Sequence, residues 1–294
     1  MINRTFRYQE SASWFKGNTH LHTTASDGGN TIVEIAELYA EAGYDFIFIT
    51  DHGVCSNVEQ SSPVAPPLLL LNGIELDGQD SKGSYYHVVC LGSVNVIFRN
   101  YNLEEAMILA KEQGALRILA HPRWCGNTME EANRHDFDGV EIYNHVCHWL
   151  NGKSDGLTYW DNMLAKNPAT LSFAADDAHL LSEHPGFNGG WIVINASELN
   201  EESVLKAIKM GQYYSSCGPD FKSIRLQGSI LEIETSPVQF IRLAGPGNKG
   251  WRTGSFTGNL LTRTSIELPE NWDYMYLEIE DGKGKRAWSN TLFV

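Results

Sequence analysis

The sequence predicts an α/β protein in two parts: β/α units over residues 1–219, then a small antiparallel β domain over 220–294. Three observations predict it. Short β-branched runs alternate with helical patterns through the first two-thirds of the chain, the order expected of parallel β/α units. Those runs are apolar on both faces, as strands of a covered sheet or barrel must be. After Gly218-Pro219 the texture changes to strand-like segments broken by Gly, Pro and Asn, with no helical pattern.

The predicted strands of the first part are FIFIT (46–50), LLLLNGIEL (68–76), HVVCLG (87–92), RILAH (117–121), GVEIYN (139–144) and TLSFAAD (170–176). Three helices have readable ends. Thr31 with Glu34 makes a capping box before IAELYAEAG, Asn102 with Glu105 does the same before AMILAKEQG, and Asn200 opens EESVLKAIKMG; each pattern stops at a glycine. In the second part SIRLQG, ILEIET, VQFIRLAG, TSIELP and YMYLEIED read as strands of an antiparallel β-sandwich. GPGNKG (245–250) lacks the strand-to-helix setting of a phosphate-binding loop and reads as a hairpin loop.

At 294 residues the chain can bury a full core. No apolar run approaches the roughly 20 residues of a membrane-spanning helix; the longest, around Pro66 to Leu71, is of strand length. The N-terminal stretch MINRTFRYQE has no apolar core of a secretory signal, so a cytoplasmic location is expected. Five scattered cysteines with no C-x-x-C pair argue against a disulfide framework or a zinc–thiolate knuckle. A formal charge of −14 opposes attraction to nucleic acid or an anionic membrane, so neither is expected as a partner. Phosphate remains an eligible ligand if cations sit in its site.

In an extended segment residues i and i+2 share a face, so His20 and His22 in GNTHLHTTASDGG present two imidazoles side by side, a chelating geometry. Two satisfied strand histidines would look the same. The remaining candidates separate these readings. Asp27 follows in the next loop, His52 ends FIFITDH, Glu75 lies near the end of its strand, and His87 begins HVVCLG. His121 ends RILAH, and Asp177 and His179 follow TLSFAA. Most fall at C-terminal strand ends, the face where a β/α barrel gathers its active site.

The series H-x-H, S-D-G, T-D-H, G-x-E, a strand histidine, A-H-P and D-A-H resembles the PHP (polymerase and histidinol phosphatase) superfamily of metal-dependent phosphoesterases, over roughly residues 14–216. The opening WFKGNTHLHT, the VEIYN strand and the C-terminal RAWSN (286–290) resemble its carbaryl-hydrolase-like branch, whose members carry a β-rich C-terminal extension. The resemblance implies a distorted (β/α)7 barrel and three divalent ions. It places the first ion on His20, His22, Glu75 and Asp177. Glu75 would bridge to a second held by His87 and His121, and Asp27, His52 and His179 would hold the third. Many members have histidine where this chain has Asp27; a carboxylate is a harder ligand, which shifts the third site toward manganese or iron over zinc, or toward weaker filling. Nitrogen and carboxylate ligands suit zinc, manganese and iron alike.

Two cations about 3.5–4 Å apart can share a hydroxide that attacks phosphorus, so the expected activity is hydrolysis of a small phosphomonoester or phosphodiester. Glu75 and Asp177 carry the metals, and Arg123 is a candidate phosphate clamp or else a surface arginine. Asn144 and His145 are candidates for orienting substrate or protonating a leaving group; His145 reads equally as a loop residue. Asp51 and Asp176 are candidate acceptors for ligand imidazoles. Among the tryptophans, Trp14, Trp124, Trp149, Trp160 and Trp191 read mainly as packing, and His135, His148 and His184 as surface.

Alternatives stay open. The same metals could hydrolyse a carbamate or carboxylic ester, and the chain could be a non-catalytic ligand-binding module. An amidohydrolase-type binuclear barrel also begins H-x-H, but its bridging lysine has no counterpart, since the corresponding strand carries Glu75. The C-terminal domain could shape the pocket, mediate homo-oligomerisation or bind glycan, the last if Trp251, Trp272 and Trp288 form an exposed row.

Overall fold

In the computed structural model the described residues are 5–9, 12–56, 58, 68–92, 94 and 101–294; Pro66 and Pro67 of the apolar run lie outside them. The first part runs β1 (Ser13–Asn18), α1 (Ile32–Glu41), β2 (Phe46–Ile49), β3 (Leu69–Gln79), β4 (Tyr85–Leu91), α2 (Leu103–Glu112) and β5 (Leu116–Leu119). It continues through α3 (Pro122–Cys125), α4 (Met129–Ala132), β6 (Gly139–Asn144), α5 (His145–Asn151), α6 (Leu157–Leu164), β7 (Leu171–Ala175), β8 (Trp191–Ala196), α7 (Glu201–Lys209) and β9 (Tyr213–Ser216). Both expected capping boxes form on α1 and α2, and Asn200 caps α7 by accepting from Ser203 N.

Strand β2 shows why its run is apolar on both faces. Phe46 and Phe48 enter one core with Phe173, Ile192 and Ile194, while Ile47 and Ile49 enter another with Ile35 and Tyr39 of α1. Gly17 of β1 is required by the first of these, because a Cβ there would lie 2.1 Å from the Phe46 ring.

The sheet order is β13-β12-β15-β16-β9-β8-β1-β2-β3-β4-β5-β6-β7. Two expectations change. The β1–β2–β3 and β5–β6–β7 pairings are parallel, but β4 is antiparallel to both β3 and β5, because only residues 80–84 join it to β3 and a parallel crossover needs a far longer connection. The expected closed barrel is not found either. One edge of β1 pairs with β2, and β8 occupies the other over Ser13–Gly17, so no β1–β7 ladder forms there. On the β1 side, the chain just past β7 meets the chain just past β1 through the Leu21–Ala178 bridge.

The remaining strands are β10 (Phe221–Gln227), β11 (Ile230–Val238), β12 (Phe240–Ala244), β13 (Gly250–Gly254), β14 (Leu261–Glu267), β15 (Tyr276–Glu280) and β16 (Arg286–Ser289). GPGNKG is the β12–β13 hairpin loop. A self-contained sandwich is not formed: β12, β13, β15 and β16 extend the large sheet through the β16–β9 pairing, and β10, β11 and β14 make a second sheet packed against that extension. Trp288 is buried, and Trp251 and Trp272 pack partly buried on the core between these layers, so the three do not form an exposed row. Among the described residues no helix is long and apolar enough to cross a membrane.

The β3–β4 turn is tied down by Asp80, whose carboxylate accepts from Lys82 N, from Ser84 N at 2.9 Å and from Arg134 Nη1 at 2.6 Å. Burial opposes its ionisation, but Arg134 and the two amides outweigh that and lower its pKa to about 2. A carboxyl depressed in the folded state stabilises above its unfolded pKa of about 4 and loses that contribution as pH falls toward 2. Asp80→Asn is therefore predicted to lower Tm by about 2–4 °C at pH 7, with the gap to the parent largely closed at about pH 2. Thermal melts at the two pH values check this; a gap independent of pH would refute the charge term.

Candidate metal centre

The candidate side chains arrive from six strands: His20, His22 and Asp27 follow β1, His52 follows β2, Glu75 lies in β3, His87 in β4, His121 follows β5, and Asp177 and His179 follow β7. Beyond β1, Leu21 makes the bridge to Ala178 and is fully buried, which turns His20 and His22 together to the other side, ring centroids 5.1 Å apart. His52 follows β2 and bridges to Glu75 of β3. The reversal of β4 puts its first residues, rather than its last, on this rim: His87 pairs in register with Asp77.

His121 and Asp177 follow β5 and β7 with φ of 26° and 56°. Such values are uncommon outside glycine, and more so for His121, which precedes a proline. His121 N donating to Glu141 Oε2 and Asp177 N donating to His20 O hold the two conformations.

The Glu75 carboxylate is the centre of the set, 1% exposed. Its Oε2 lies 3.1 Å from His20 Nε2, 3.2 Å from His22 Nε2 and 3.3 Å from His52 Nε2. Its Oε1 lies 2.8 Å from His87 Nδ1 and 3.4 Å from His121 Nε2. Asp177 Oδ1 stands 3.1 Å from His22 Nε2 and 3.3 Å from His20 Nε2, and Asp27 Oδ2 stands 3.3 Å from His179 Nε2.

Despite these distances, Glu75 Oε2, His20 Nε2 and His22 Nδ1 are buried without hydrogen-bond partners. Buried polar atoms that converge without bonding one another are what a bound cation would satisfy, and the residues therefore fit a metal. Among the described residues, four clusters have ligand atoms within 4.8 Å of one another: His20, His22, Glu75 and Asp177; His22, Asp27, His52 and His179; His52, Glu75 and His87; and His20, His121 and Glu141. The first coincides with the expected first ligand set, and the second contains the expected third set. The second set is split, with His87 and His121 in different clusters that share no residue.

Burial alone would lower the imidazole pKa values, but the carboxylates override it, raising His22 to about 9 and His20 well above its ordinary value. Burial would likewise raise Glu75 and Asp177, and the surrounding imidazoles hold both low instead. Cys125 Sγ is 3.5 Å from His121 Nδ1, and burial pushes that thiol up to about 12; among the described residues the clusters that could hold a metal contain only nitrogen and oxygen donors.

Several supporting roles differ from expectation. Asp51 accepts from Thr23 N, Thr23 Oγ1, Ser26 Oγ and Ser56 Oγ, and so fastens the loop that carries Asp27. Asp176 accepts from Tyr39, Asn18 and the 188–190 backbone. Neither has a hydrogen bond to an imidazole. That position belongs to Glu141: Oε1 takes His20 Nδ1 at 2.7 Å, and Oε2 accepts from His121 N and Asn144 Nδ2, both at 2.9 Å. Its only sequence signal is a charge inside the buried strand GVEIYN. Asp77 is the other addition, 3.2 Å from His52 Nδ1.

Arg123 does not line the pocket. The single turn α3 leaves it exposed and brings Trp124 in instead, edge-on to His87 and His121. His145 is also off the pocket, stacked on Gly189, where a Cβ would lie 2.2 Å from its Nδ1, and bonded to Tyr143 Oη. His184, expected on the surface, is a lining residue beside His179.

The pocket above these ligands has a volume of about 580 Å³. Seven of the nine expected ligands line it, and His20 and His22 lie beneath.

No protein-family model and no curated protein matches the sequence. Among solved structures, a two-domain protein from Bacteroides vulgatus containing a predicted PHP-like metal-dependent phosphoesterase is 13% identical, with 98% of each chain covered and a TM-score of 0.53. An amidohydrolase from Chromobacterium violaceum, 13% identical, covers 58% of this chain and 90% of its own, with a TM-score of 0.43. The first likeness is one of fold, and it extends through both parts of the chain; the second carries no further weight.

Glu141→Gln is predicted to weaken retention of divalent metal by roughly 10–100-fold, measured by chelator competition, with circular dichroism unchanged. Undiminished retention would leave Glu141 with only a loop-holding role.

Proposed function

We propose, for a chain that has the fold of a PHP-like two-domain protein, that it is a metal-dependent phosphoesterase acting on a small phosphomonoester or phosphodiester. The observation that carries this is the set of imidazoles converging on Glu75 and Asp177 at the floor of an open pocket, with buried ligand atoms left unsatisfied. In this reading His20, His22, Glu75 and Asp177 hold one ion, Glu75 with His87 and His121 a second, and Asp27, His52 and His179 a third. Zinc, manganese and iron all suit these donors. We take 1–219 as the metal-holding unit and 220–294 as its β-rich companion.

Divalent ions bound there supply Lewis acidity toward a phosphoryl oxygen and acidify water for attack at phosphorus. The chain's own residues supply position. Glu141 fixes the His20 ring through Nδ1, Asn144 donates to Glu141 and to Asp177 Oδ2, and Asp77 faces His52 Nδ1. Degenerate hydrolases lose candidate ligands, and the sequence keeps all nine residue types, which makes a non-catalytic module the weaker reading.

One observation favours the second enzymatic reading, hydrolysis of a carbamate or carboxylic ester: among the described residues lining the pocket there is no lysine or arginine to hold a phosphate.

Elemental mass spectrometry on protein purified without chelator is predicted to find two to three metal equivalents per chain. The loaded protein should hydrolyse aryl phosphates, and Glu75→Gln or Asp177→Asn should lower kcat/KM by about 10³-fold or more with the fold intact, on the scale of losing a principal transition-state interaction. Less than half an equivalent after incubation with each metal would refute the centre. Turnover of aryl carboxylates or carbamates without phosphate esters would move the assignment to the second reading.

A further inference from the structure

The pocket has two unlike sides. Its floor and part of its rim are the ligand set, including Asp27 and Asp77, whose side chains are 54% and 42% exposed. The rest is apolar. Val146, Cys147 and Leu150 line it from α5, Leu181 from the loop between β7 and β8, and Trp124 from α3. Val146 and Leu150 are four residues apart, so they share one helix face with Cys147 beside them. That face runs from Val146 at 3% exposure to Leu150 at 46% at the mouth.

The wall is fastened in place. Trp149 Nε1 donates to Glu183 O at 2.8 Å, tying α5 to the loop that carries Leu181, and Asn144 Oδ1 caps α5 by accepting from Cys147 N. As noted, no lysine or arginine is among the described lining residues, and the sequence 57–67 between β2 and β3 contains none.

We propose that this pocket selects esters whose leaving group is apolar and carries no second negative charge. The inference rests on the phosphoesterase reading for the position of the phosphoryl group. A group attached to phosphorus and projecting from the ligand floor toward the mouth meets Leu150, Leu181 and Trp124. A second phosphate or a carboxylate there would meet apolar side chains and two rim aspartates, with no lysine or arginine among the described lining residues to replace its lost hydration.

The test uses phosphonates, which bind without being cleaved, so its result does not depend on turnover. The manganese-loaded protein is titrated calorimetrically with 3-phenylpropylphosphonate, 3-hydroxypropylphosphonate and 2-carboxyethylphosphonate. The first is expected to bind at least about 10-fold tighter than the second, a ratio of the size that apolar pocket contacts produce, and the third weakest. Leu150→Lys and Leu181→Lys, each checked for unchanged metal content, should weaken the phenylpropyl ligand and tighten the carboxyethyl ligand about 10-fold. Equal affinities, a preference for the carboxylate in the parent, or no binding of any of the three would overturn the inference. Hydrolysis of 3-phenylpropyl phosphate is measured separately. The expected binding order without hydrolysis upholds the selectivity while sinking the phosphoesterase reading, and hydrolysis with equal affinities does the reverse.

Discussion

The constraint on which the rest of the structure depends is the Glu75 carboxylate, buried to 1% exposure with five imidazole nitrogens within 3.4 Å. An anion taken out of water is strongly unfavourable unless compensated. Compensation here comes from side chains brought in by four other elements, none near another in sequence except His20 and His22. The fold can be understood as the means of delivering them to one point. β4 runs backwards against its neighbours so that its first residues reach this rim, and the chain leaves β5 and β7 through left-handed backbone conformations that aim His121 and Asp177 inward. Positive φ at non-glycine residues costs about 1–3 kcal/mol each and persists where the surroundings over-determine it; both residues sit among the converging ligand atoms.

Around that centre the polar groups divide their work. Glu141 and Asn144 act on the ligand side chains directly, fixing His20, the His121 backbone and Asp177. Asp51 and Asp176 act one step further out, each gathering hydroxyl, amide or backbone donors and so fixing the loops at 23–26 and 188–190. Neighbouring residues in extended backbone point to opposite sides, so Asp51 and His52 place one member toward the support and one toward the centre; at Asp176 and Asp177 the same division accompanies the left-handed φ of Asp177. The apolar wall from α5 lies on the same framework, because Asn144, which holds Asp177, also caps α5.

Legibility followed from chemistry and distance along the chain. The capping boxes, the helix stops and the parallel strands were readable because their determinants are local or periodic. The convergence of the candidate ligands was readable because histidine and carboxylate recur at strand ends, where no packing demand calls for them. Arg123 and His145 were misjudged because proximity to a ligand in sequence says nothing of direction: one turn of helix after His121 leaves Arg123 exposed, and His145 opens a helix and stacks on Gly189. Glu141 escaped notice because a lone charge in an apolar strand acquires meaning only when its partners, 20 and 121 residues away, are in place.

The sequence by itself determined the α/β class, the strands FIFIT, GVEIYN and TLSFAAD with the three capped helices, and the nitrogen–oxygen character of the candidate donors, since these depend on residue type, period and caps. Only the tertiary structure decided that β8 occupies the β1 edge and leaves the barrel unclosed, and that β16 pairs with β9 to carry the C-terminal strands onto the same sheet. It also decided which side chains face the pocket. Strand pairing and side-chain direction are settled by competition between distant segments for the same hydrogen-bonding edges and the same buried space, and no local pattern records who wins that competition.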